Sequence, residues 1–246
     1  MKKLFVAVLL FTLSACAFAQ QDYVGRYDVF AGFSYLDSPK IKLGQKGFNT
    51  QIGYNARRWL ALGFDYSTQN GQGTLVPSDL KPAYATQVDG LIQEGQAGLL
   101  TEFGVPTLPS NYSAYVPFSA TTQTFTAGPQ LAWRHFKKIT LFAHPSIGAI
   151  HEHINLDPHD AFTAFVAGPT GALVASGILK TTHPSDTTYF YGLGGGGDYN
   201  LTKHVHLRAD VEFVHVFLFS GLLADSRNSV RLSVGPSFNF GKNVSR

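Results

Sequence analysis

The chain has 246 residues, a formal charge of +3, only 14% charged residues against 13% aromatics, and 25 glycines, where an ordinary soluble domain carries roughly 25% charge. That balance gives no basis for a nucleic-acid partner. After the N-terminus no run of about 18 apolar residues occurs, which excludes a helical membrane span. The lone cysteine, Cys16, excludes a disulfide within the chain.

Residues 1–19, MKKLFVAVLLFTLSACAFA, combine a basic start, an apolar stretch and a small-x-small ending at Ala17-Phe18-Ala19, the pattern of a cleaved secretory signal peptide. Leu13-Ser14-Ala15-Cys16 also resembles a bacterial lipobox, which would make Cys16 a lipidated first residue. The remainder, 20–246, is expected to form one domain.

Residues 27–35 alternate Tyr27, Val29, Ala31, Phe33 and Tyr35 against Asp28, Phe30, Gly32 and Ser34, and read as a first strand. A loop rich in Pro, Gly and Lys is expected at 37–46. Strands follow at 48–55 and 59–67, separated by only a tight turn around Asn55-Ala56-Arg57-Arg58. Alternation then stops, and 68–122 reads as a long loop broken by five prolines, with a short amphipathic helix at 86–103 built on Val88, Leu91, Ile92, Leu99 and Leu100.

Strands resume at 123–134 and 139–152, joined by the turn His135-Phe136-Lys137-Lys138. A second long loop is expected at 153–186. A sixth strand runs from Tyr189 through the four glycines 194–197 to Tyr199, and a short turn at 200–204 leads into 205–219. That stretch sets Val205, Leu207, Ala209, Val211 and Phe213 against His206, Arg208, Asp210 and Glu212. A moderate loop at 220–228 precedes the last strand, 229–240.

Eight strands of this length match the 9 to 11 residues that cross a bilayer with tilt. The tight turns and the loops alternate, which puts all the turns at one rim and all the loops at the other. The expected fold is all-β: an eight-stranded antiparallel up-and-down transmembrane β-barrel with short periplasmic turns and long external loops. Period two alone leaves open a lipocalin-like soluble barrel with its apolar face inward. Against it, the polar face is made of Gly, Ser, Thr and Asn with a few charges of both signs, and lysine keeps to turns, loops and ends.

The strand texture, with Tyr27-Asp28-Val29-Phe30-Ala31-Gly32 and Val234-Gly235-Pro236-Ser237-Phe238-Asn239-Phe240, resembles the OmpA-like and OmpX-like eight-stranded outer-membrane barrel proteins. The resemblance spans about 23–241. It implies an outer-membrane location, lipid as the surrounding partner, a monomer, and insertion by the barrel-assembly machinery guided by the terminal aromatics Phe238 and Phe240. The chain departs from that pattern in adding residues 241–246, and the peptidoglycan-binding domain of larger relatives is not expected.

The inward set contains Asp28, Asp65, Glu152, Asp198, Asp210 and Glu212 with Arg134, Arg208 and Arg231, expected to form a charge network that fills the lumen. Tyr54, Trp59, Trp133 and Tyr199 are expected to form an aromatic girdle near the short-turn rim. His144, Ser146 and Glu152 are similar to the arrangement in lipid A deacylase barrels, but their face points away from lipid. His151, His153 and His159 with Glu152, Asp157 and Asp160 lack a zinc signature and read as loop polarity. No cofactor or metal is expected, and the role is structural or surface-interacting, with a narrow porin-like channel as the alternative and an enzyme as a distant third. Such a barrel should partition with the outer membrane and run faster on a gel unboiled than boiled; a soluble protein without that shift would favour the lipocalin-like arrangement.

Overall fold

The computed structural model describes residues 23–90, 116–156, 183–224 and 227–244, together with 177, 180 and 181. The expected signal peptide and Cys16 lie outside the described residues. Eight strands, β1 (Gly25–Ser38), β2 (Leu43–Arg57), β3 (Leu60–Leu75), β4 (Val116–Trp133), β5 (Ile139–Asn155), β6 (Ser185–Asn200), β7 (Val205–Val216) and β8 (Arg227–Asn243), follow one another in chain order. Each pairs antiparallel with its neighbours, and β8 returns to β1 to close the barrel. No helix among the described residues is long and apolar enough to cross a membrane.

The alternation read from the sequence assigns the faces. One outward residue from each strand, Phe33, Ile52, Phe64, Phe125, Ile147, Leu193, Phe213 and Val234, is between 47% and 65% exposed. Ser34, Asn49, Ser67, Thr124, Ser146, Arg208 and Ser233 are buried in the lumen. A contiguous apolar exterior around a polar interior inverts a soluble barrel and suits lipid.

Every strand but β7 is longer than expected, from 14 to 18 residues, and most of the surplus lies at the long-connection end. There both faces change character. Outward on β3, Leu62, Phe64 and Tyr66 give way to Thr68, Asn70, Gln72 and Thr74; on β4, Phe125 gives way to Gln123, Thr121 and Ser119. Inward, the polar row becomes apolar: Thr122 to Ala120 and Phe118 on β4, and Glu212 to Val214 and Val216 on β7.

Three expected loops are corrected accordingly. Residues 37–46 form a hairpin, with β1 running to Ser38, a 3-10 turn at Pro39–Ile41, and Lys42 in the left-handed region at φ 49. The first connection at this rim is therefore tight, and only the later ones are long. The loop at 68–122 shrinks at both ends as β3 reaches Leu75 and β4 begins at Val116, and the loop at 153–186 loses residues to β5 and β6. Conversely, β7 stops at Val216 rather than running to 219, and Phe219 takes a left-handed φ of 53. The amphipathic helix begins earlier than expected, since residues 82–90 are helical; its expected remainder lies outside the described residues.

The barrel mouth is covered at this end. Residues 79–81 cross to 222–224 through the Leu80↔Leu223 bridge, with Lys81 N donating to the Leu222 carbonyl and Ala224 N to that of Asp79, both at 3.0 Å. Beneath them Ile41, Leu43, Leu80, Val88, Phe118, Ala120, Leu156 and Leu223 form an apolar cluster.

The ladder is interrupted between β1 and β8, where Pro236 falls opposite Ala31, and between β4 and β5. Pairing of β4 with β5 stops after Ala127↔Ile147 and resumes at Leu131↔Ala143, a register that sets Pro129 opposite Pro145. Neither has an N–H to donate. The strands stay close because Gly128 has no side chain: a Cβ there would lie 2.2 Å from the Pro145 carbonyl oxygen. Gly128→Ala should destabilise the barrel by roughly 1–3 kcal/mol through this overpacking, measurable as a lower urea midpoint for loss of the fast-migrating gel form.

Candidate functional site in the barrel lumen

Eight strands enclose a space only wide enough for side chains, and three arginines organise it. Arg208 on β7 donates from Nε and Nη2 to both oxygens of Asp198 on β6, at 2.7 and 3.0 Å. Its Nη1 reaches Asp28 on β1 at 2.9 Å and Gln51 on β2 at 2.6 Å. Its guanidinium lies over the rings of Phe30 and Phe142, at 5.8 and 5.0 Å. Bidentate pairing and stacking together use the planar fork of arginine in a way lysine cannot match.

One layer further toward the long-connection end, Arg231 on β8 pairs with Asp65 on β3 at 2.9 Å and Glu212 on β7 at 2.5 Å. It also donates to the hydroxyls of Ser67 and Thr124. In the same layer His144 Nε2 lies 3.1 Å from Asp210, while Ser146 donates to Glu212. Above this, Arg227 pairs with Glu152 on β5 at 3.0 Å, and Thr122 donates to the same carboxylate at 2.9 Å.

Of the nine charged residues expected in the lumen, eight therefore stand in these three layers. The ninth, Arg134, lies just past the end of β4 at the short-turn rim, where Nε donates to the Arg58 carbonyl at 2.9 Å and Nη2 to Asn55 at 3.2 Å. Arg227 was missed. The alternation puts it in the loop before β8, yet it is 1% exposed and extends the inward row Arg227, Ser229, Arg231, Ser233 by one position. Its step of two from Ser229 was the available signal.

Uncharged side chains fill the gaps and tie strands that the ladder leaves apart. Gln69 on β3 donates to Ser34 on β1, Asn49 on β2 to Ser233 on β8, and Gln45 on β2 to Thr122 on β4, at 2.8 to 3.0 Å. The cavity beside His144, Ser146 and Asp65 amounts to about 20 Å³, and another beside Glu152 and Arg227 to about 10 Å³. Each has room for about one water.

The other sequence-picked groups come apart. His144 and Ser146 each address a different carboxylate rather than one another, so the serine–base contact of a hydrolase is not formed. Glu152, grouped with them from sequence, turns to Arg227 instead. β5 keeps His151 and extends past its expected end to take in His153, both on the face opposite Glu152: His151 Nδ1 meets the Thr187 hydroxyl at 2.7 Å, and His153 stacks on His183. Asp157, His159 and Asp160 lie outside the described residues. At the short-turn rim Tyr54, Trp59, Trp133 and Tyr199 all point outward and are 38% to 66% exposed. Phe238 and Phe240 also face outward on β8, with Phe240 against Tyr27.

With the architecture established, solved structures provide the comparison. The outer membrane protein OprG from Pseudomonas aeruginosa superposes with a TM-score of 0.50 at 10% identity, over 91% of this chain and 100% of that one. The fold is that of an eight-stranded outer-membrane barrel. Neisserial surface protein A gives a TM-score of 0.47 at 13% identity over 87% and 96% of the two chains, and Ail, the attachment invasion locus protein of Yersinia pestis, 0.45 at 12% over 88% and 99%. No family model and no curated sequence matches the chain.

Removing one partner from so enclosed a charge cluster strands the others. Arg208→Ala should cost the barrel about 3–5 kcal/mol by leaving Asp28 and Asp198 without their cation. Arg208→Met with Asp198→Asn and Asp28→Asn should recover much of it. Thermal melts of the refolded variants in detergent check both; an unchanged single mutant would remove the network from its structural role.

Proposed function

We propose that this is a bacterial outer-membrane protein in which a closed barrel anchors the long connections, 76–115 and 156–184, at the cell surface for a structural or adhesive role. The observation that carries this reading is the continuous filling of the lumen. Paired guanidiniums and carboxylates occupy three successive layers, and an apolar cluster under the 79–81 to 222–224 crossing lies above them. For an ion to pass, the Arg231 layer would have to open against contacts to Asp65, Glu212, Ser67 and Thr124 at once. Such a plug favours a rigid pedestal over a conduit.

In this reading the apolar belt contacts lipid, the short turns face the periplasm, and Phe238 and Phe240 at the end of β8 serve recognition by the assembly machinery. His144 and Ser146 act in lumen bonding, each held by its own carboxylate, Asp210 and Glu212. Purified protein reconstituted in planar bilayers should give no reproducible conductance steps. Steps that disappear in Arg231 variants would replace this reading with that of a narrow channel.

A further inference from the structure

The two ends of the barrel differ in charge. Every connection at the short-turn rim carries cations: Arg57 and Arg58 between β2 and β3, Arg134, Lys137 and Lys138 between β4 and β5, Lys203 between β6 and β7, and Arg26 and Lys242 where β1 meets β8. Among the described residues no exposed carboxylate stands at that rim. Its nearest acids, Asp28 and Asp198, are buried and turned to Arg208. The opposite end mixes signs, with Asp37, Asp79, Asp89 and Asp186 among Lys40, Lys42, Lys46 and Lys81.

Within the cationic rim the surface is not flat. A cleft of about 650 Å³ lies between the β2–β3 and β4–β5 turns, lined by Arg57, Arg58, His135, Trp59, Trp133 and Leu131. The turns are held together, since Ala132 N donates to the Trp59 carbonyl at 2.9 Å and Arg134 Nε to that of Arg58 at the same distance. Arg134 thus shapes the floor of the cleft. The cations sit on the side toward the turns. Trp133 and Leu131, 66% and 46% exposed, continue directly into the apolar belt of β4. A ligand matching both would carry an anionic head and apolar chains.

We infer that this cleft binds the phosphate headgroup of an anionic phospholipid from the leaflet that surrounds the short-turn rim. Arg57 and Arg58 hold the phosphate with planar forks suited to it. The indoles of Trp59 and Trp133 lie at the glycerol level, where their N–H stays wet and their rings meet the acyl chains. Leu131 contacts the chains below. The inference rests on the membrane-barrel reading above, because only a lipid-embedded rim meets such headgroups.

The chain's only two tryptophans both line the cleft, so tryptophan fluorescence, excited selectively at the red edge where tyrosine does not absorb, reports on this site. Reconstitution into vesicles of phosphatidylcholine containing a fraction of brominated phosphatidylglycerol or brominated phosphatidylcholine measures which lipid sits there. Both brominated lipids should quench, with phosphatidylglycerol favoured on the order of tenfold at low salt, as expected of two guanidiniums at an anionic lipid. In Arg57→Gln with Arg58→Gln the preference should fall to near unity while quenching by brominated phosphatidylcholine persists. Lys137→Gln with Lys138→Gln, on the same rim outside the cleft, should keep most of the preference.

Equal quenching of the wild-type protein by both lipids would overturn the site. So would a preference that survives the double arginine variant, or one that falls equally in the lysine variant, which would make it a diffuse property of the rim. Absence of quenching by either lipid would instead overturn the membrane-barrel reading itself.

Discussion

The structure depends on neutralising guanidinium groups in a space too narrow to hydrate them. An arginine in the lumen of an eight-stranded barrel has no bulk water to solvate it, so its charge is tolerable only where carboxylates converge on it. The ladder supplies one carboxylate to each, since Asp198 stands opposite Arg208 and Glu212 opposite Arg231 on the adjoining strand, while the second, Asp28 or Asp65, must come from across the lumen. Arg208 on β7 draws on β6, β1 and β2, and Arg231 on β8 draws on β7, β3 and β4. The positions of these side chains are therefore coupled around the whole circumference. A slip of one residue in any of these registers would turn a carboxylate to lipid and strand its arginine, so the charges specify the register as well as fill the space.

The same requirement explains why the polar filling stops where it does. Inside the apolar belt the exterior must be apolar, and the lumen takes the polar side chains. Beyond the belt the outer face meets water, and the barrel reverts to the logic of a soluble fold. Thr68, Asn70 and Gln72 face outward on β3, and Phe118, Leu43 and Val216 face inward to the apolar cap. The cap is apolar, so the Arg227–Glu152 pair, 1% exposed at both residues, is shielded on that side too, which strengthens it and raises what its disruption would cost.

This reversal also decides how much was legible beforehand. Within the belt, alternation of strongly apolar with small or polar residues marks strands and faces alike, and Val205 to Phe213 against His206 to Glu212 could be assigned residue by residue. At the reversal the contrast fades. In Ser67-Thr68-Gln69-Asn70-Gly71-Gln72-Gly73 both faces are small or polar, so a period of two leaves no trace in hydropathy although the backbone pairs continuously with β4. The 37–46 hairpin was obscured for the same reason, with Lys46 outward and Gln45 inward. Arg227 was lost because the residues around it supply no apolar partner to set the period. The pairs that cross the lumen, Arg208 with Asp28, Arg231 with Asp65 and Arg227 with Glu152, were out of reach, since inward position along a strand is a matter of parity while pairing across the lumen depends on stagger and tilt that only closure fixes; Asp198 with Arg208 and Glu212 with Arg231 are ladder neighbours instead.

Charge placement divides into two regimes that answer to different solvents. In the lumen each arginine meets a carboxylate at 2.5 to 3.1 Å, and its field is spent locally. At the short-turn rim no exposed carboxylate stands among the described residues, so cations such as Arg57, Lys137 and Lys138 face the membrane interface, where opposing charge can come from lipid. Arg134 stands at the junction. Its donors turn back to Asn55 and the Arg58 carbonyl, closing the bottom of the lumen while holding open the cleft next to it. The same residue thus separates a narrow interior, where carboxylates of the chain match the arginines, from a rim that meets the membrane interface. A barrel stabilised this way would have its orientation in the bilayer reinforced from the rim and its cross-section fixed from within.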